Sequence, residues 1–284
     1  MRYNQRSVTK AGANPQQGGR TALVTGASSG IGEAIARRLA ARGTSLVLCA
    51  RRRDRLEALA SDLRARHGVA VEVVEADLTR DGAAADLARR AAEHGPIDLL
   101  VNNAGAGAFG TFAGLPLDAQ LALVRINVLA LVELTGHLLP AMAARGHGAI
   151  LNIASTSGFQ PLAYNAVYAA TKAFVVHFGE ALAVEQRGSG IDVVTLCPGI
   201  TDTEFFAAAS RVGETFRPSG ALAMSADRVA HYAMRALDRR RALAFAGSHN
   251  WLTSLLVRLA PRSWVRAVAG SVFRWMLSRQ RARR

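Results

Sequence analysis

Lysine is almost missing from this sequence. Of 35 Lys and Arg residues only Lys10 and Lys172 are lysine, so positive charge is written as Arg nearly everywhere. That makes Lys172 a candidate for a site needing a compact ammonium on a flexible stem rather than a planar fork. Cysteine is equally scarce. Cys49 and Cys197 lie in the apolar runs "LVLCA" and "VVTLCPG", where free thiols behave as small buried hydrophobes. A disulfide framework is excluded, and a reducing, cytoplasmic setting is expected. No uninterrupted apolar run reaches about 18 residues, so no transmembrane span is expected. Residues 1–19 lack an apolar core segment and read as a disordered tail rather than a signal peptide. The seven histidines are scattered without metal-ligand spacing, so no metal site is expected.

Acids are missing from both ends. Residues 1–20 carry four basic side chains and 239–284 carry eleven, with no Asp or Glu in either, whereas 21–238 carries 20 basic and 21 acidic ones. The net charge of +14 therefore resides in the termini. With no recognisable DNA- or RNA-binding motif beside it, no nucleic-acid partner is expected.

What is present is a regular alternation. "TALVTG", "TSLVLCA", "VAVEVVEA", "IDLLVNNAG", "GAILNIAS" and "IDVVTLCPG" read as six strands, near-continuous in apolar residues as strands buried on both faces are. Between them fall helical segments at 30–42, 54–67, 82–94, 118–145 and 166–187, and a helix at 226–239 precedes a seventh strand, "ALAFAG". The pattern predicts an α/β, Rossmann-type doubly wound, mostly parallel seven-stranded sheet with helices on both faces. Residues 20–248 form this domain, followed by a basic, amphipathic C-terminal helical extension over 249–284.

The first strand runs into "TGASSGIG", placing Gly26, Ser28, Ser29, Gly30, Ile31 and Gly32 ahead of a helix. This G-x-x-x-G-x-G spacing departs from G-x-G-x-x-G but serves the same physics: a tight turn, close approach of backbone N–H groups to a pyrophosphate, and a helix N-terminus aimed at the anion. Where many such folds carry an acid for the ribose 2′-hydroxyl, "LCARRRDR" has Ala50 followed by Arg51 and Arg52. A carboxylate there repels a 2′-phosphate and a guanidinium binds one, so NADP(H) is favoured over NAD(H).

In "YAATK", Tyr168 and Lys172 are four residues apart on one helix and share a face. An ammonium near a phenol lowers its pKa from about 10 toward the range of a useful acid–base group. Ser155 stands thirteen residues before Tyr168 at the end of the fifth strand, "NNAG" ends the fourth, and Asn127 lies in "INV" within the long helix. Tyr164 has no lysine four residues on and Ser157 is closer to Tyr168, so Tyr168 and Ser155 are preferred.

Taken in order, "TGASSGIG", "NNAG", Asn127, Ser155, "YAATK" and "PG" resemble the short-chain dehydrogenase/reductase family, in its compact single-domain branch, over residues 20 to about 247. The resemblance implies that Tyr168 protonates the substrate oxygen, that Lys172 lowers the tyrosine's pKa and binds the nicotinamide ribose, that Ser155 hydrogen-bonds the carbonyl oxygen, and that Asn127 anchors a water relay to the lysine. It further places Asp77 and Leu78 in the cofactor site, with Asp77 beside the adenine. Asn103, Ala104 and Gly105 line the cofactor's centre. Pro198, Gly199, Ile200 and Thr203 follow the sixth strand, the last two near the carboxamide. A homo-oligomer, dimer or tetramer, is implied, with the helices at 118–145 and 166–187 as interface. A rival reading is a catalytically silent NADP(H)-binding regulator or membrane-docking protein; the intact set Asn127, Ser155, Tyr168 and Lys172 argues against it.

The segments expected over the nicotinamide offer Phe109, Phe159, Leu162, Tyr164, Phe205, Phe206 and Phe216 with few acids, which favours an apolar ketone, aldehyde or secondary alcohol as substrate. In the extension, Trp251, Leu252, Leu255, Leu256 and Leu259 share one helical face before Pro261. A second stripe carries Trp264, Val265, Val268, Val272, Trp275 and Met276, with Arg266 and Arg274 outside it. The stripes either cover the body or a subunit interface, or lie as an interfacial anchor on a membrane.

Overall fold

The computed structural model describes residues 20–215 and 223–281. The tail 1–19 and Phe216 lie outside them, as does the side chain of Met276. Six long strands, β1 (Thr21–Thr25), β2 (Ser45–Ala50), β3 (Val71–Glu75), β4 (Ile97–Asn102), β5 (Gly148–Ile153) and β6 (Ile191–Cys197), alternate with helices α1 (Gly30–Ala40), α2 (Arg53–His67), α3 (Ala83–Glu93), α4 (Leu117–Val124), α5 (Ala130–Arg145) and α6 (Ala166–Glu185). Then come β7 (Thr201–Asp202), α7 (Phe205–Val212), β8 (Met224–Ser225), α8 (Ala226–Asp238), β9 (Leu243–Phe245), α9 (Ser248–Leu259) and α10 (Arg262–Arg281).

Seven strands form one sheet in the order β3-β2-β1-β4-β5-β6-β9, and every pair is parallel. Period-two alternation along each strand feeds two cores. On β1, Ala22 and Val24 pack with residues of α1, α2 and α8, whereas Leu23 packs with residues of α3, α5 and α6. The strand order reverses between β1 and β4, so the turns after these strands open a crevice at the sheet's carboxyl edge, where such folds bind ligands.

The helix expected over 118–145 is interrupted. Arg125–Leu129 forms one wider π turn, closed by Ala130 N–H donating to the Arg125 carbonyl, and Asn127 sits inside it, 2% exposed. Leu117–Arg145 and Ala166–Glu185 are long and apolar enough, by length and composition, to cross a membrane. Both pack on the sheet through one face, Leu134, Leu138 and Met142 on the first and Val175, Val176 and Leu182 on the second. Packing on the sheet, not composition, distinguishes these two helices from membrane-spanning ones.

The approach of α6 to the sheet is closest at Gly179, where a Cβ would overlap Thr195 Oγ1. Gly179→Ala is expected to lower Tm by about 2–8 °C: overpacking costs about 1–3 kcal/mol, more than the roughly 1 kcal/mol by which Ala favours a helix over Gly. Thr195 Oγ1 makes no hydrogen bond in the structure, so adding Thr195→Ala should restore much of the loss. A thermal melt in which the single substitution is neutral removes this account of the helix–sheet contact.

Candidate active site

The site grows from the turn after β1. Gly26 and Gly30 have φ of 66° and 62°, left-handed values that favour glycine. Cβ atoms would also collide, with Ala104 Cα at 2.9 Å from Gly26 and with the Gly26 carbonyl from Gly32. Ser29 N-caps α1 without a side-chain cap bond, so the helix's first amide hydrogens are left for a ligand. Its hydroxyl instead accepts from Arg52 at 2.7 Å, as does the Ser28 hydroxyl at 3.0 Å.

Thr25, which sequence reasoning missed, ties this turn to the loop after β4. Its Oγ1 accepts from the Asn103 and Ala104 amides, both at 3.0 Å, and donates to the Val101 carbonyl. Asn103 Nδ2 donates to the Thr25 carbonyl at 2.8 Å. The signal was its place at the head of "TGASSGIG", where the glycines stand out and the threonine does not.

At the carboxyl ends of β2 and β3, Arg51 lines an open groove of about 600 Å³ with Glu75, Asp77 and Arg80. Burial raises the pKa of Asp77, but two hydrogen bonds from Thr79 and the charges of Arg51 and Arg80 outweigh it and leave the carboxyl below its usual value. Leu78 is buried beside it in the core. Arg51 and Arg52 are not equivalent. Arg51 is exposed with no hydrogen bond to a described residue, whereas Arg52 is committed to Ser28, Ser29 and Glu204. Glu204, also missed, accepts from Arg52 and Arg55 at 2.6 Å each and is held ionised, its pKa near 2, by the bonds from Arg55 and then Arg52. Thr203 lies against Gly30, so the segment after β6 closes over the glycine turn.

Ser155 follows β5, and its hydroxyl lies near enough to the Tyr168 phenol to pull that group's pKa down. Ser157 instead donates its amide to Ser155 Oγ at 3.1 Å. Lys172 is 6% exposed, and its Nζ donates to the Ile153 carbonyl at 2.8 Å, lies 5.9 Å from the Tyr168 ring centroid, and would be 3.6 Å from a Cβ at Gly105. Asn127 does not touch Lys172. It brackets Ala106, accepting from its amide and donating to its carbonyl, and donates to Thr171 Oγ1, which donates to the Tyr168 carbonyl at 2.7 Å.

The expected lowering of the tyrosine's pKa does not occur in this state. Burial pushes Tyr168 up to about 12, opposed by the nearby Ser155 hydroxyl, and burial pulls Lys172 down to about 8. A phenol this far above neutrality keeps its proton and can give it up only to a strong base such as an alkoxide.

Of the apolar residues expected over the nicotinamide, Phe205 lies on Tyr168 with ring centroids 5.4 Å apart and stands 2.5 Å from where a Gly107 Cβ would be. Phe206 packs edge-on to Phe205 and stacks with Phe109. Tyr164, at φ 65°, packs against Phe109 and Ala209. Leu162 is buried, and Phe159 packs on Phe245 away from the phenol. Pro198 is buried, and Gly199 lies against Asn250 of α9. Ile200 accepts the Met224 amide, which pairs β7 with β8.

A glycine turn that a side chain would block, uncapped amides at α1, and a half-buried phenol beside a buried ammonium and hydroxyl together define a nicotinamide-dinucleotide oxidoreductase site. Residues 20–212 match the short chain dehydrogenase family, and the chain belongs to that family, oxidoreductases of carbonyl and alcohol groups that use a nicotinamide cofactor. Among solved structures, it is similar to a short-chain dehydrogenase from Sphingobium yanoikuyae in complex with NADPH, at 38% identity and TM-score 0.76, covering 82% of this chain and 91% of that one. It is also similar to the bulky-bulky ketone specific alcohol dehydrogenase from Comamonas testosteroni, at 33% identity and TM-score 0.72, covering 84% and 92%. A third, a short chain dehydrogenase/reductase from Burkholderia phymatum in complex with NAD, shares 28% identity with TM-score 0.76 over 84% and 92%. Among the described residues no group of three or more His, Cys, Asp or Glu is arranged to hold a metal ion.

Proposed function

We propose that this protein is an NADP(H)-dependent reductase of apolar ketones or aldehydes, working in reverse on secondary alcohols, with Asn127, Ser155, Tyr168 and Lys172 as its working set. The observation that carries this reading is the convergence of three side chains: the Ser155 hydroxyl near the Tyr168 phenol, and Lys172 Nζ 5.9 Å from the Tyr168 ring centroid and beneath Gly105. Bound NADPH would supply the hydride. Ser155 donates to the carbonyl oxygen and orients it, and Tyr168 gives its proton to the alkoxide as charge develops. Lys172 holds positive charge against the phenol's oxygen as the proton leaves, and Asn127 fixes the Ala106 loop and, through Thr171, the backbone of Tyr168. Phe205 and Phe206 form the apolar cover that a bulky ketone would displace, and the ketone-specific neighbour from Comamonas testosteroni supports that substrate class.

NADP(H) is preferred because Arg51 is an uncommitted guanidinium at the end of β2 and Ala50 supplies no carboxylate there. NADPH oxidation against a panel of bulky apolar carbonyls tests the reaction; binding without turnover on any of them would instead favour a silent regulator. Titration tests the cofactor: Arg51→Ala should weaken NADPH by about 10- to 150-fold, the value of one charge-assisted contact, and leave NADH nearly unchanged. Equal affinity of the unaltered protein for NADPH and NADH would sink the assignment. Assembly into a homo-oligomer is supported by the apolar outer face of α4, α5 and α6, where Leu121, Leu129, Val132, Phe174 and Val184 are exposed.

A further inference from the structure

We propose that the outer face of α9 and α10 docks the protein on an anionic lipid bilayer, beside the mouth of the substrate site. The body takes up only part of the apolar stripes of these helices, Val265 and the half-buried Leu255, and leaves most of their described members exposed. α9 turns Ser254, 3% exposed, and the half-buried Asn250 and Val257 inward, with Asn250 against Gly199. Its outward face carries Leu252, Leu256 and Leu259, 48%, 58% and 74% exposed, at the i, i+4, i+7 spacing of a single stripe. α10 buries Val265 and sets Gly270 against Ala163, while Trp264, Val268 and Val272 face out.

Charge selects the occupant. Residues 239–284 hold eleven arginines and no acid, and Arg258, Arg262, Arg266 and Arg274 on these two helices are exposed. A second copy of this face would set arginine against arginine. An anionic headgroup layer offers the complement, and the exposed indoles of Trp251 and Trp264 suit the boundary between headgroups and acyl chains. The placement has a consequence for access. The cation of Arg258 lies 6.0 Å from the Phe159 ring, and Asn250 and Gly270 pack on Gly199 and Ala163, so the docked face adjoins the loops around Ser155 and Tyr168.

Sedimentation of the full chain with NADPH and phosphatidylcholine vesicles, with and without phosphatidylglycerol, tests this independently of turnover. Binding to the anionic vesicles at low salt is expected, weakening as salt shortens the reach of charge. Arg262→Gln and Arg266→Gln should each lower the partition coefficient about fivefold. The pair Leu256→Asn and Trp264→Ser should lower it at least about tenfold, with turnover of a water-soluble carbonyl retained. Absence of anionic-vesicle binding at low salt overturns the proposal, as does binding indifferent to these four substitutions. Light scattering in which Leu256→Asn with Trp264→Ser splits an oligomer, without any lipid binding in the parent, assigns the face to a second copy and overturns it as well.

Discussion

Tyr168→Phe will lower kcat for carbonyl reduction by about 10²- to 10⁴-fold while leaving the Kd for NADPH nearly unchanged. The factor is the usual contribution of one positioned proton donor, and the ring that remains still fills its place under Phe205. With the phenol at about 12, the group is protonated across the neutral range, so the unaltered enzyme should reduce carbonyls without losing its acid there. The reverse reaction needs the phenolate and should speed up as pH rises from neutrality, until the Lys172 ammonium is lost near 8. Tyr164 cannot substitute, since it sits at φ 65° against Phe109 and Ala209. Turnover of Tyr168→Phe at the parent rate, measured by NADPH oxidation on an accepted ketone, would remove Tyr168 from the mechanism.

Lys172→Arg is expected to cost about 10²-fold or more in kcat/KM for NADPH and to change its pH profile. Elsewhere this protein uses arginine for what a planar fork does well. Arg38 engages both oxygens of Asp227 at 3.1 and 2.8 Å, and Arg42 engages both of Asp238 at 2.8 and 3.0 Å. Lys172 occupies a different kind of place, 6% exposed, with one carbonyl acceptor at 2.8 Å and Gly105 directly above. A guanidinium brings five donors to a pocket where the lysine has one protein acceptor, and buried donors left unpaired cost about 1–3 kcal/mol each. The sign of the pH effect follows from burial, which lowers the lysine to about 8. The ammonium is present below that pH and lost above it, so kcat/KM, which reports the free enzyme, should fall as pH rises through about 8. An arginine does not deprotonate, so in the variant that limb should vanish along with most of the rate. A variant that keeps both the rate and the limb would show that Lys172 is an accident of composition.

Much of this site was legible from local chemistry. Short-range rules place Gly26, Gly30 and Gly32 between a strand and a helix, put Tyr168 and Lys172 on one helical face, and single out Lys172 by its rarity. Less legible were contacts made across the fold. Thr25 opens "TGASSGIG", but nothing local announces that it will hold Asn103 and Ala104. Glu204 reads as an ordinary acid until the chain after β6 folds back onto Arg52 and Arg55. The π turn that presents Asn127 replaces what the apolar spacing reads as one continuous helix, because the Ala106 loop and Thr171 supply the partners that hold it.

The order of strands and helices, the glycine turn and the shared helical face of Tyr168 and Lys172 follow from sequence alone, since backbone sterics and periodicities of two and 3.6 residues act within a few positions of the chain. Tertiary structure decided the rest. Burial sets how far Tyr168 and Lys172 move from their ordinary pKa values, and in opposite directions, because desolvation disfavours whichever form is charged. It also decided which face of α9 and α10 meets the body. An amphipathic pattern marks an apolar stripe but not its partner, and here Ser254 is buried and Asn250 packs on Gly199 while Leu252, Leu256 and Leu259 stay outside.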